Sequence, residues 1–445
     1  VTGYIGEKAM QALKNYDQSE VYVSDTVVNT VYIDNSEISN VETKHDVGMM
    51  FRMTKGGKSG KASVTLSGPD AESECISMAD SVLKFSPVEE DLNPFSYPSQ
   101  AKISQPDIFD RKVENITADE LRELAKRVIS ACSDFKDAKV TIPRAQIRVA
   151  TTSTHTLNSN GVDTEHRSTL VYGHFTSMCV REHPGEGIEF FHGTHLDMDP
   201  EAIGSSIASK AYNAAVCTEF KGHRKMSMVL TPQEGSEMLF SSVGDAIDGE
   251  NVKYGRSRWK DSVGQEVASS ALNICDDPTS NAPLSCVFDD EGTATEKRPI
   301  VENGVLRGFL RDTFCGNSTG NGMRRSSVEA QGAYERTPVI KPLNLTVKPG
   351  RYSFDEIVSQ LDDAIIVEKF ASPEADGLTG RFGLNVRCGH IVHNGEITGT
   401  VNNALLMGNM YDCVRNISMI GNDSKQTGVV NLPTICYEGT DITGN

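Results

Sequence analysis

The chain has 445 residues, of which 38% are hydrophobic and 23% charged, with a formal net charge of −18. This length exceeds what one hydrophobic core usually fills, so two domains are expected, and no apolar run approaches the ~20 residues that cross a bilayer. The acidity excludes a broad phosphate-binding surface, because Arg122/Lys126/Arg127, Lys221/Arg224/Lys225 and Arg324/Arg325 are short clusters divided by acidic sequence; solvated faces and no direct nucleic-acid contact are expected.

The opening VTGYIGEKAM has no basic patch followed by an apolar stretch, so a cytoplasmic protein is expected. After a short helix around Lys8 to Leu13, Val21 to Leu66 reads as two or three antiparallel strands, with Asp34-Asn35 and Lys55-Gly56-Gly57-Lys58 as turns. Residues 67 to 84 read as helix, followed by a polar, proline-bearing connector to about residue 115. Thr117 and Glu120 then form a capping box ahead of Leu121, Leu124, Ala125, Val128, Ile129 and Cys132, an apolar stripe suited to cover a sheet. Val140 to Thr152 and Thr169 to Arg181 are expected strands around a polar bend at Asn158 to Gly161. Asp199-Pro200 starts a helix carrying Ile203, Ile207, Ala211 and Ala214 along one side. These elements describe an α+β N-terminal domain over residues 1–225.

From Met226 the pattern changes, and residues 226–445 are expected to form a strand-rich α+β domain. Thr231-Pro232-Gln233-Glu234 supplies an N-cap, a proline at N1 and an acidic N3 for a helix carrying Met238, Leu239, Phe240, Val243 and Ile247. Asn303-Gly304 and Asn394-Gly395 mark hairpin turns, and Ser353 with Glu356 caps a helix containing Ile357, Val358 and Leu361. The fold class expected is α+β with mixed helices and predominantly antiparallel sheets.

Several groupings invite chemistry. His192, His195, Asp197 and Asp199 fall within eight residues, a metal-ligand density if a bend joins them, although Asp199 is better used as the helix cap. His390 and His393 lie three apart on a strand and so point to opposite faces, which favours ordinary hydrogen bonding. Ser241-Ser242 with Asp245 lacks a local histidine, and His174 or His195 would have to complete a triad; helix packing is the simpler role. Gly244 and the stretch Gly316 to Gly322 match no phosphate-binding spacing, so a loop is expected at the latter. The ten cysteines include no CxxC pair and are expected to be buried free thiols.

The segments GMMFRMTKGGKSGKAS, TPQEGSEMLFSSVGDAIDG, FDDEG at Phe288 to Gly292, VENGVLRGFLRD, KPLNLTVKPG and VNNALLMGNMYDCVRNI resemble, in this order, those of the TldD/PmbA family. The resemblance implies a two-domain fold and, for TldD-type members, a zinc-peptidase site built from HExxxH and a cysteine near the C-terminus. The positions matching HExxxH are Phe240 to Asp245, with Phe240, Ser241 and Asp245 replacing the first histidine, the glutamate and the second histidine. The late cysteine falls near Val430 or Asn431, with Cys436 displaced from it.

No catalytic, cofactor-binding or metal-binding residue is therefore assigned, and independent zinc-peptidase activity is not expected. What the resemblance implies is a PmbA-like accessory subunit of a proteolytic or peptide-maturation assembly. Its partner would be a TldD-type subunit, or a second copy in a dimer, and its substrate an extended peptide or protein. Two alternatives stand beside this: a stand-alone metallopeptidase using a different site, such as His192 and His195, and a protein-binding regulator such as a modulator of DNA gyrase.

Overall fold

The computed structural model describes residues 6, 9, 10, 13–68, 70–88, 95–313, 315, 323–324 and 333–444. The expected helix around Lys8 to Leu13 lies largely outside these residues, and the Gly316 to Gly322 stretch lies wholly outside them.

The first half is organised by one long sheet. Strands β1 (Gln18–Asp34), β2 (Glu37–Lys55) and β3 (Lys58–Thr65) pair antiparallel through two tight turns. Asn35 and Ser36 take positive φ at the first turn, Gly56 and Gly57 at the second. The first turn thus falls one residue later than expected, because Asp34 stays in the ladder opposite Glu37 and the two residues beyond it adopt the left-handed conformation that matches strand twist. Helix α1 (Ala71–Phe85) buries Cys75, Ala79 and Leu83 against Met49, Phe51 and Met53. A Cβ at Gly60 would sit 2.3 Å from the Ala79 carbonyl oxygen, so this close approach of helix to strand requires glycine.

Helix α2 (Ala118–Cys132) carries the expected capping box, with Thr117 and Glu120 satisfying each other's backbone N–H. Strands β4 (Ala138–Asn158), β5 (Asp163–Val180) and β6 (Pro184–Gly193) complete the order β3-β2-β1-β4-β5-β6, with the short strand Asp134–Phe135 beside β4. The β4/β5 pair is longer than its apolar pattern suggested, since main-chain pairing continues to Leu157 opposite Asp163 through polar side chains. Helix α3 (Pro200–Ala215) starts at Asp199, whose carboxylate accepts from Ala202 N at 3.0 Å. Helices α2 and α3 cover one face of the sheet, where Leu121, Val128, Ile147, Val149, Ile203 and Ile207 share a core. The opposite face presents Thr26, Thr152, Thr154 and His166.

In the second half, β7 (Gly222–Leu230) runs parallel to β8 (Asp363–Phe370), which pairs antiparallel with β9 (Arg381–His393). Strand β9 continues through the Asn394-Gly395 turn into β10 (Glu396–Asn402), and also pairs with β11 (Ala404–Asn409). β11 pairs with β12 (Ile435–Gly444), and β12 returns to β7, closing β7, β8, β9, β11 and β12 into a ring. Closure leaves these strands no free edge. Strand β7 runs across residue 225, where the sequence suggested a division between domains. A second, six-stranded sheet includes Ile274–Asp276, Leu345–Val347 and Val430–Leu432, and the Asn303-Gly304 turn with its positive φ values joins two of its strands. Helices α4 (Pro232–Leu239) and α5 (Phe354–Ser359) pack on these layers, and Ser353 with Glu356 caps α5 as expected. The architecture is α+β, in two domains with predominantly antiparallel sheets. Among the described residues no helix is long and apolar enough to cross a membrane.

Candidate functional site

Helix α4 leaves β7 at Thr231-Pro232, and the proline at N1 initiates it as expected. The rest of the cap differs from the sequence reading. Thr231 makes no capping bond, and its hydroxyl turns to the Val367 carbonyl at 3.5 Å. Glu234 is buried, and its Oε2 accepts from Phe370 N at 2.9 Å. Burial raises its pKa, with Lys369 and the Phe370 bond opposing. The neighbouring strand β8 has taken the carboxylate that would otherwise serve the helix end.

Beyond Leu239 the helix widens into a π-turn, Phe240–Gly244, before Asp245 and Ala246 resume the α form. In a π-turn, residues five apart stack over one another, so Phe240 and Asp245 share a face. This is the geometry that brings two ligands of five-residue spacing together. Met238, Leu239, Val243 and Ile247 on the inner side are fully buried.

The side chains on that turn do not make a metal site. Lys341 Nζ lies 3.8 Å from Asp245 Oδ1 and 5.7 Å from the centroid of the Phe240 ring. Ser241 donates to the Met238 carbonyl at 3.2 Å and accepts from Ala375 N at 3.2 Å, while Ser242 donates to the same Met238 carbonyl at 2.7 Å. Tyr411 Oη sits 2.7 Å from the Gly377 carbonyl and 3.1 Å from that of Ser242, tying the turn to the 375–377 segment. A Cβ at Gly377 would lie 1.9 Å from Asp245 Oδ2, so that segment lies directly against the turn. At the position of the late cysteine, Val430 is buried and Asn431 Oδ1 is buried without a hydrogen-bond partner. Cys436 is in β12 opposite Val229, its thiol raised to about 11 by burial.

Zinc needs three protein ligands and, for peptidase chemistry, a base. Phe240 offers no donor, both serine hydroxyls are committed to backbone groups, and the one carboxylate already faces an ammonium that repels a dication. The residues present do not fit the metal.

A second feature is a cleft between the open face of the first sheet and the 283–290 loop, lined by Thr26, Thr152, Thr154, His166, Asp289 and Asp290 among others. Asp289 Oδ1 accepts from Glu291 N at 3.0 Å and Thr293 N at 2.9 Å, which folds Phe288 to Gly292 into a tight turn with Gly292 at φ 77°. Burial lifts Glu291 to about 7 against the pull of Arg52, and burial with the Glu291 charge raises Asp289. Arg52 is itself held by Glu20 through a bidentate pair at 2.8 and 2.6 Å. The hydroxyl rows can donate to and accept from the main chain of an extended ligand.

The other sequence-predicted groups separate. His192 is edge-on to Tyr172 at 5.2 Å, its Nδ1 is buried without a hydrogen-bond partner, and burial with the nearby Lys425 charge lowers its pKa to about 4. His195 bonds Thr194 through Nδ1 at 2.9 Å and faces Asp107 at 3.5 Å, and Asp199 is spent on the α3 cap. His174 stacks on Phe190 at 4.8 Å, so neither histidine engages Ser241 or Asp245. His393 is exposed, whereas His390 meets Glu368 at 3.0 Å beside Cys388. The sequence reading missed Lys341, Tyr411 and this last grouping. For the grouping, the available signal was Cys388 and His390 two apart on a strand, hence on one face.

Family models described as domain 1, central domain and C-terminal domain of PmbA/TldA metallopeptidases match residues 19–81, 111–215 and 223–444. The chain is 23% identical over 467 aligned residues to the metalloprotease PmbA homolog of Buchnera aphidicola, covering 99% of this chain and 96% of that one. Its fold matches the crystal structure of TldE from Thermococcus kodakarensis with a TM-score of 0.86 at 20% identity over 99% of both chains. It matches equally the crystal structure of a Thermotoga maritima protein named for DNA-gyrase modulation, at TM-score 0.86 and 21% identity over 98% of this chain and 99% of that one. The first curated relatives are matched over only 66%, 39% and 45% of their length.

Proposed function

The chain belongs to the PmbA/TldA metallopeptidase family, and we propose that its place there is that of a noncatalytic, PmbA-like subunit that holds an extended peptide or protein while a TldD-type subunit supplies the hydrolytic chemistry. The observation that carries this reading is the π-turn: Phe240 and Asp245 stand where two ligands of a metal would converge, and Lys341 supplies the local positive charge instead. The turn has a backbone that can converge two side chains, and those side chains do not make a metal site. The hydroxyl-lined cleft supports the substrate-holding half of the proposal, because a strand-like ligand needs main-chain partners more than specific pockets.

The test is peptide hydrolysis by the full chain alone and with a TldD-type partner. No turnover alone is expected, with turnover in the mixture that survives Asp245→Asn and Ser241→Ala in this chain. Hydrolysis by the chain alone that disappears in Asp245→Asn would overturn the proposal.

A further inference from the structure

We propose that Cys388, His390 and Glu368 form a binding site for a thiophilic divalent cation, zinc by preference, with Cys217 as the nearest further donor. The site uses none of the residues of the π-turn.

The placement follows from strand geometry. Cys388 and His390 alternate on β9 and so emerge on one face. Glu368 lies opposite them on β8 at a register shift between Val367 and Lys369. Such a bulge re-aims the extra side chain, and here the carboxylate comes to the same face as the thiol and the imidazole. Glu368 Oε2 is 3.2 Å from Cys388 Sγ and 3.0 Å from His390 Nε2, and one donor atom from each of the three residues lies within 4.8 Å of the others. With zinc bonds of roughly 2.0 to 2.3 Å, the edges of a tetrahedral site are about 3.3 to 3.8 Å. The two edges from Glu368 therefore need to open by only a few tenths of an ångström to admit the ion. Cys217, just beyond the end of α3, places its Sγ 3.6 Å from that of Cys388, and Ala214, Cys217 and Cys388 form one buried cluster.

Charge and donor type point the same way. A thiolate, a carboxylate and a neutral imidazole balance a dication, which matters where Glu368 and His390 are only 17% exposed and Cys388 is buried. Binding displaces the Cys388 thiol proton to solvent, and His390 coordinates through the Nε2 lone pair with its proton on Nδ1. Sulfur and imidazole select zinc over magnesium or calcium. Lys210, the nearby ammonium, is held by Glu189 Oε2 at 2.6 Å and the Ile188 carbonyl at 3.1 Å, so it does not occupy the carboxylate. An ion held here joins the end of α3 to the closed ring of strands.

The experiment titrates cobalt(II) into the full chain after chelator treatment and reads the thiolate-to-cobalt charge-transfer absorption. The wild type is expected to saturate at one equivalent, Cys388→Ser to lose the band, and Glu368→Gln and His390→Gln to weaken binding about tenfold or more. Asp245→Asn should bind as the wild type does. Because Cys388→Ser alters a buried position, the two conservative variants carry the decision, each checked for wild-type circular dichroism. No thiolate band in the wild type, unchanged affinity in both Glu368→Gln and His390→Gln, or a Cys217–Cys388 disulfide in the natively purified protein would overturn the proposal.

Discussion

The π-turn at Phe240–Gly244 and the cluster on β8 and β9 are opposites. The first has a backbone suited to convergent ligands and a single carboxylate, already paired with Lys341; the second has three donors and no local motif. In the turn, the donors of a metal would sit five apart on one helix, so their loss can be read directly from the sequence. In the cluster, Cys217, Glu368 and Cys388/His390 come from three elements, and only the pairing of β8 with β9 and the end of α3 bring them together. A motif search finds the first kind of site whether or not it works, and passes over the second even when the chemistry is present.

That contrast breaks if the turn needs no lock. Tyr411 is 4% exposed and its hydroxyl reaches the carbonyls of Ser242 and Gly377. Tyr411→Ala is expected to cost about 4 kcal/mol of stability, chiefly from the cavity, and Tyr411→Phe about 1 kcal/mol. Urea denaturation of the two variants measures both, and a wild-type midpoint for Tyr411→Ala would show that the turn persists without this support.

A smaller effect involves the histidine that neither region uses. His192 has its folded pKa lowered from 6.5 to about 4, first by burial and then by Lys425. The unfolded chain therefore binds more protons between those values, so this residue's contribution to stability is full above the unfolded pKa and is lost as pH falls from 6.5 toward 4. The full shift represents roughly 3 kcal/mol, and about 2 kcal/mol is expected after allowing for partial exposure. His192→Asn should flatten the acid limb of stability against pH by that amount, and an unchanged limb would remove this residue from the account.

The smallest effect sharpens the comparison itself. Asp245 and Lys341 are both about one-third exposed, and their 3.8 Å pair belongs to a near-surface environment. Asp245→Asn should change stability by less than about 1 kcal/mol and leave bound zinc unchanged, while His390→Gln lowers the zinc retained by the purified protein. Elemental analysis of both variants makes the comparison, and zinc lost from Asp245→Asn would relocate the metal to the turn.

How far the sequence could be read depended on where each side chain's partner lay. Thr117/Glu120 and Ser353/Glu356 form capping boxes, both exposed and local. Thr231 and Glu234 show the same spacing, yet the buried Glu234 goes to Phe370 N, since a strand crossing the helix end offers a donor that the sequence window does not contain. The Asn303-Gly304 and Asn394-Gly395 turns were legible because positive φ favours those residues, whereas the first hairpin turned one residue late at Asn35-Ser36. Lys341 was unreadable as the charge beside Asp245, being almost a hundred positions away in the chain.

By itself the sequence determined the periodicity of the strands, the exposed caps and turns, and the absence of the helix-borne ligands, because each is a relation between residues a few positions apart. Tertiary structure alone decided that the helix widens at Phe240, that Glu234 serves a strand, and that Cys388, His390 and Glu368 converge beside Cys217. Those outcomes depend on strand register, on a bulge at Glu368 and on which backbone donors burial leaves to be satisfied, and each of these is set by elements distant in the chain packing against one another.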